Sequence, residues 1–183
     1  MASKAVNFPY YVGGSSKIGD RHRLGLGWLF RVVWARARTQ VQRQVEEQGK
    51  HPVSFVFLNL EVSFPSLAEV DWNYAANGKL RTYNLNYFEF LRVMSPKQGL
   101  NHINAWIAKE ATHKDGWEPY PLSLRLVSWI AFFNRTGLKP DDAITASLLR
   151  QYAALRTKLE YHPGANHLLE NALALTLTAH YLA

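Results

Sequence analysis

The sequence contains no cysteine, so it can form neither disulfide bonds nor thiolate metal sites. No run reaches the roughly 18 consecutive apolar residues that a membrane-spanning helix needs. Residues 1–11 lack the charged segment and unbroken apolar run of a secretory signal. Two catalytic motifs are also missing, the Gly-x-x-x-x-Gly-Lys phosphate loop and the Gly-x-Ser-x-Gly elbow. The sequence therefore carries the motif of neither a P-loop NTPase nor an α/β-hydrolase.

Positive charge is concentrated at the start of the chain. The first 50 residues hold nine of the 21 Lys and Arg residues but only three of the 14 Asp and Glu residues. Residues 1–16 are predicted to be a loose segment. Residues 17–50 are predicted to form a basic helix, because Leu24 and Trp28 recur at helical spacing among arginines. This helix has either a solvated basic face or a surface that binds membranes or polyanions.

The remaining sequence predicts an all-α fold. Residues 51–78 indicate an irregular connection with at most one short strand, near residues 53–58, where β-branched and aromatic residues cluster. Residues 79–183 predict a helical array, because apolar residues recur at helical spacing between short Gly- and Pro-containing loops. This alternation is typical of stacked antiparallel helix hairpins. We expect one domain over residues 17–183.

An aromatic segment opens the predicted helical array. Residues 80–91 predict a helix with Tyr83, Tyr87 and Phe90 on one face. These rings either pack in the core or, together with Asn84 and Asn86, line a wall that binds sugars.

A second helix is predicted to be buried on most sides, because residues 122–134 are apolar nearly all round. Gly137 and Pro140 are predicted to end it. Arg125 lies in its middle, where a charge needs a partner. Arg125 therefore either forms a structural ion pair with a nearby acid or grips a carboxylate of a ligand.

The most polar part of the sequence is residues 161–171, which include a Pro-Gly break before the final predicted helix, residues 167–182. Asn166 and His167 should lie at the N-terminus of that helix, where free N–H groups and the helix dipole favour an anion. Tyr161 adds a phenol close by. Two interpretations stay open: a helix cap with a packed histidine, or a chemical site.

Acid–base chemistry suits these residues better than metal binding. A zinc-type His-x-x-Glu-His motif would need histidine where the chain has Asn171. No metal and no cofactor are expected. In a uronic acid sugar, the C5 proton becomes removable when the carboxylate is neutralised, and an acid then protonates the departing 4-oxygen. Asn166 and Arg125 could neutralise the carboxylate, and His167 could be the base.

Three segments resemble the heparinase II/III family of polysaccharide lyases, in the family's order. They are residues 81–91, 121–130 and 159–171. The Asn-His-Leu-x-Glu-Asn block at residues 166–171 is the most specific part, and the Tyr-Asn-Leu-x-Tyr-Phe block at residues 83–88 is a second, independent match. The similarity covers roughly residues 70–183 and is greatest to members found with bacterial surface-polysaccharide gene clusters.

The resemblance implies an incomplete (α/α) toroid that normally precedes an antiparallel β-sandwich. It implies β-elimination on an acidic polysaccharide, with no nucleic acid partner. It places carboxylate neutralisation on Asn166, proton abstraction on His167 and a substrate contact on Arg125. From their residue types, Tyr83, Asn84, Tyr87 and Tyr161 are further candidates for substrate binding; Tyr161 is not the family's catalytic tyrosine. The family is often periplasmic; without an export signal the cytoplasm is the alternative.

Two family features lie downstream of the Asn-His pair, namely the catalytic tyrosine and the β-sandwich. We therefore expect this chain to be the front part of a lyase, a fragment or truncated product with little turnover alone. Apolar residues of the last helix, including Leu173, Leu177 and Tyr181, should then be exposed or unpaired. The alternatives are a non-catalytic carbohydrate-binding or scaffold module, and a protein that binds polyanions or membrane surfaces through its basic helix.

Overall fold

A computed structural model describes residues 52–57, 59–76, 78–161 and 166–183 of the chain. The predicted loose segment 1–16 and the predicted basic helix 17–50 lie outside the described residues. Within the described ranges the chain is mostly helical, with a small two-stranded sheet.

The sheet is a hairpin of β1 (Val53–Phe57) and β2 (Leu60–Phe64). The strands are antiparallel, and Phe55 pairs with Val62 on the buried face. The prediction of at most one strand was wrong. The second strand forms because its apolar residues alternate with Glu61 and Ser63, which gives it one buried face of its own.

The first helix, α1 (Lys79–Tyr87), is shorter than predicted. Phe88 ends it with a left-handed backbone, φ 61°, and a 3₁₀ helix, Glu89–Val93, follows. This conformation costs of order 1–3 kcal/mol for a non-glycine residue. Burial offsets that cost: Phe88 is fully enclosed and stacks on Trp72 with ring centroids 5.3 Å apart.

The early end of α1 also redirects Phe90. Its ring contacts Phe55 and His102 at centroid distances of 5.1 and 5.5 Å. Phe90 therefore belongs to the packing around the hairpin, and the prediction that it extends the Tyr83–Tyr87 face was wrong.

The next helix, α2 (Pro96–Ala108), begins with a capping box in which Ser95 and Gln98 bond each other's backbone N–H groups. At Gly99, α2 packs closely against the side chain of Phe132. A Cβ atom placed there would lie 2.3 Å from the ring of Phe132.

Three longer helices complete the fold: α3 (Pro119–Thr136), α4 (Asp142–Arg156) and α5 (Asn166–Leu182). Gly137 ends α3 with φ 70°, as its position predicts, and the Asp141 side chain caps α4 by accepting from a backbone N–H.

Helix α3 is central, because it packs against α1, α4 and α5. The core around it is built on aromatic rings that meet edge to face, with Trp106 and Trp129 centroids 5.6 Å apart. None of the described helices combines the length and the apolar character that crossing a membrane requires.

One face of α5 remains exposed. Leu169, Leu173 and Leu177 recur every four residues and are 67%, 45% and 36% exposed. Exposure of Leu173 and Leu177 agrees with the prediction, whereas Tyr181 packs partly against the core.

Candidate active site

His167 lies at the surface, at the N-terminal end of α5. Its side chain is 51% exposed. One face of the imidazole stacks on Tyr120, with centroids 4.2 Å apart and planes 25° apart. Tyr120 is in the first turn of α3, so this contact brings the N-terminal ends of α3 and α5 together.

The stacking continues into α1. Tyr120 meets Tyr87 edge to face at 5.8 Å, and Tyr87 lies 6.5 Å from Tyr83. Tyr83, Tyr87, Tyr120 and His167 form what we call the aromatic row. Tyr83 and Tyr87 were predicted as site residues. Tyr120, which joins them to His167, was not.

A charged group lies beside the Tyr83 end of the aromatic row. Glu118 accepts a hydrogen bond from the Tyr83 phenol and pairs with Lys79 at 2.6 Å. Burial raises the pKa of Glu118, but the hydrogen bonds from Lys79 and Tyr83 outweigh it and the pKa is lowered overall. Glu118 is therefore an anion at neutral pH.

Both tyrosines of α1 keep their protons at neutral pH. Burial, followed by the hydrogen bond to Glu118, raises the pKa of Tyr83 to about 12. Burial, followed by the neighbouring phenol of Tyr120, raises the pKa of Tyr87 well above its usual range. Both phenols are therefore poor bases. The Tyr83 O–H is donated to Glu118, and the Tyr87 side chain is buried.

At the other end of the aromatic row, a carboxylate lies beside the histidine. Glu160 Oε2 is 3.5 Å from His167 Nδ1. The Glu160 backbone N–H donates to Asn171 Oδ1 at 3.1 Å, and the Asn171 amide donates to Ser123 Oγ at 3.0 Å. Asn171 and Ser123 are both fully buried. Asn171 is thus a support, which ties the loop before α5 to α3 and α5.

Asn166, the predicted partner of His167, is the first residue of α5 and is exposed. It therefore lies at the helix end where the backbone N–H groups have no partner within the helix. The structure places the two predicted catalytic residues at the same exposed end of α5.

Arg125 lies in the core, with no exposed side-chain surface. Nε donates to Gln151 Oε1 at 2.8 Å, Nη1 donates to the carbonyl of Gly116 at 2.8 Å, and the guanidinium lies 4.1 Å from the Trp106 ring. Burial lowers its pKa, and the charge of Glu110 opposes this.

Neither interpretation of Arg125 describes these contacts fully. The Glu110 carboxylate is bound to Ser147 and Arg150, and carbonyl and amide oxygens receive the Arg125 hydrogen bonds. A direct contact between Arg125 and substrate would require the residues that cover it to move.

The other two predicted substrate-binding residues are Asn84 and Tyr161. The Asn84 side-chain amide donates to the carbonyl of Leu80, one turn back in α1, at 2.7 Å. Tyr161 is 75% exposed in the loop before α5.

A cleft of about 560 Å³ lies elsewhere, between the loop after α3 and the end of α5. Phe133, Gly137, Leu138 and Tyr181 line it, and no residue of the aromatic row does. Among the described residues, no three His, Asp or Glu side chains are arranged to hold a metal ion.

Comparison with models of known protein families gave no match, and searches of curated proteins and of solved structures found no similar protein. The chemical role of this surface is therefore argued from its own residues.

Proposed function

We propose that the chain is the helical part of a polysaccharide lyase of the heparinase II/III type, which cleaves a uronic-acid-containing polysaccharide by β-elimination. Its helices would form part of an incomplete (α/α) toroid, and its substrate would be met in the periplasm. The observation that carries the proposal is the exposed His167, next to Asn166 and stacked at the end of the aromatic row.

In the proposed reaction, Asn166 and His167 each have one role. The Asn166 amide binds the C6 carboxylate and stabilises the negative charge that develops there. His167 takes the C5 proton through Nε2. The electrons of the broken C5–H bond form the C4–C5 double bond, the C4–O bond breaks, and the departing oxygen takes a proton from an acid that the resemblance places downstream.

The aromatic row is the feature that favours a sugar as the substrate. The half-buried Tyr83 and Tyr120 and the exposed His167 bring aromatic ring surface to this side of the protein, as amphipathic aromatic side chains do at binding sites, whereas Tyr87 is buried. Lys79 lies beside Tyr83, with its ammonium 5.4 Å from that ring, and its charge is balanced by Glu118. A sugar chain on this side of the protein therefore meets aromatic ring surface and an ion pair that can hydrogen-bond to hydroxyl groups.

The test is an ultraviolet assay for unsaturated sugar ends, with the full-length protein and acidic polysaccharides as substrates. Asn166→Ala and His167→Ala should each lower kcat by about 100-fold or more, as loss of a base or of a charge-stabilising donor does. His180→Ala is the matched control, because His180 is an exposed histidine near the other end of the same helix. Unchanged rates in the Asn166 variant would refute the lyase assignment.

A second candidate function is carbohydrate binding without chemistry. It is favoured by the Tyr83–Glu118–Lys79 group, because the Tyr83 phenol is bonded to Glu118 and Glu118 is paired with Lys79, which leaves neither group free to transfer a proton to a substrate. Saturable glycan binding with no unsaturated product, from the full-length protein, would support it over the lyase.

A further inference from the structure

We propose that Glu160 positions His167 for proton abstraction. Its carboxylate accepts a hydrogen bond from Nδ1–H, which leaves Nε2 unprotonated to act as the base. The role of His167 as a base rests on the proposed function. The effect of the Glu160 carboxylate on the tautomer of His167 does not depend on that function.

The first observation is the placement of the Glu160 carboxylate. Oε2 lies 3.5 Å from Nδ1, an ion-pair distance that is longer than an ordinary hydrogen bond. Oε2 is shielded from solvent and has no hydrogen-bond partner among the described residues. A shielded carboxylate oxygen needs a donor, and the Nδ1 group of His167, 3.5 Å away, can be that donor. Catalytic hydrogen bonds are often long in the free enzyme and shorten when substrate binds.

The second observation is that Glu160 is itself held in place. Its backbone N–H is bound by the buried Asn171, which is bound in turn by the buried Ser123. The loop that carries the carboxylate is thereby fixed to α3 as well as to α5. This support fixes the backbone that presents Glu160 to His167.

The third observation is the stack on Tyr120. With one imidazole face covered at 4.2 Å, the ring of His167 cannot turn freely. Tyr120 fixes the plane of the ring, and Glu160 lies beside its Nδ1 edge. Nε2 then lies on the edge opposite Glu160.

These contacts act on the proposed reaction in two ways. The tautomer of a histidine is set by the hydrogen bond that its other nitrogen makes, so Glu160 keeps Nε2 unprotonated before the reaction. When Nε2 has taken the C5 proton, the Glu160 carboxylate faces the new imidazolium and stabilises its charge. In the proposed reaction Glu160 touches neither the substrate nor the C5 proton that is transferred, so it is a positioning residue.

The test is the tautomer of His167, read from the nitrogen-15 chemical shifts of its ring in the 183-residue chain at a pH where the ring is neutral. The expected wild-type result is a proton on Nδ1. Glu160→Ala should move the proton toward Nε2, while His180 in the same spectrum stays unchanged as an internal control. A wild-type ring with its proton on Nε2, or a ring that Glu160→Ala leaves unchanged, would overturn the proposal.

The wild-type spectrum alone decides the matter if Glu160→Ala does not fold. Two further outcomes separate this inference from the lyase assignment. If the tautomer is as expected but His167→Ala keeps full lyase rate, the positioning stands and the assigned chemistry fails. If His167→Ala loses activity but the proton lies on Nε2, the lyase stands and the role of Glu160 fails.

Discussion

Replacement of Asn171 by alanine tests how the loop before α5 is held. The Asn171 side chain is fully buried and makes two hydrogen bonds, one from the Glu160 backbone N–H and one to Ser123. Alanine has neither the amide oxygen nor the amide N–H of Asn171. The substitution therefore leaves the Glu160 N–H and the Ser123 hydroxyl without the bonds that they make now.

The expected loss follows from these two bonds. A hydrogen bond contributes about 0.5–1.5 kcal/mol net, and a buried group left unpaired costs about 1–3 kcal/mol. The Ser123 hydroxyl is buried and the Glu160 N–H is partly buried. We therefore expect Asn171→Ala to lower the free energy of unfolding by about 2–3 kcal/mol. For a chain of this size that corresponds to a fall in Tm of about 4–12 °C.

The assay is urea unfolding followed by tryptophan fluorescence, because Trp72, Trp106 and Trp129 are buried and report on the core. Asn134→Ala is the matched control, since Asn134 is an exposed asparagine of α3 and its loss should cost no more than about 0.5 kcal/mol. If Asn171→Ala is no more destabilising than Asn134→Ala, the hydrogen bonds of Asn171 do not hold this loop.

Two further predictions concern the core. Gly99→Ala should destabilise the protein by about 1–3 kcal/mol in urea unfolding, because the new Cβ meets the Phe132 ring at 2.3 Å; a gain in stability from better helix propensity would contradict that packing. Burial lowers the pKa of His113 from 6.5 to about 4, although its bond to the Trp106 carbonyl opposes the shift. The unfolded chain therefore binds the proton first, and stability should fall by up to about 3 kcal/mol as the pH drops from about 6.5 to 4. His113→Gln should flatten that pH dependence, and an unchanged slope would show that other groups cause it.

The sequence predicts those parts of the fold that depend on local pattern. Helix α3 follows from its continuous apolar pattern, and its end follows from Gly137, which adopts the left-handed backbone that glycine favours. The end of α1 was missed because it depends on tertiary packing. Nothing local marks Phe88 as a helix terminus, and only the enclosure of its ring against Trp72 offsets the cost of its backbone.

The candidate site was predicted in part for the same reason. Asn166 and His167 follow from a helix start after a Pro-Gly break, which is a local signal. Tyr120 and Glu160 could not be found in this way, because their contacts with His167 arise from the packing of α3, α5 and the loop between α4 and α5. The local signal at Tyr120 is weak: it is an aromatic residue between two prolines, Pro119 and Pro121.

The most direct measurement is the rate at which a full-length protein releases unsaturated, ultraviolet-absorbing ends from a uronic-acid polysaccharide. The lyase proposal predicts activity in the wild type and in His180→Ala, and a loss of about 100-fold or more in both Asn166→Ala and His167→Ala. Wild-type product formation that survives either of those two substitutions would contradict it.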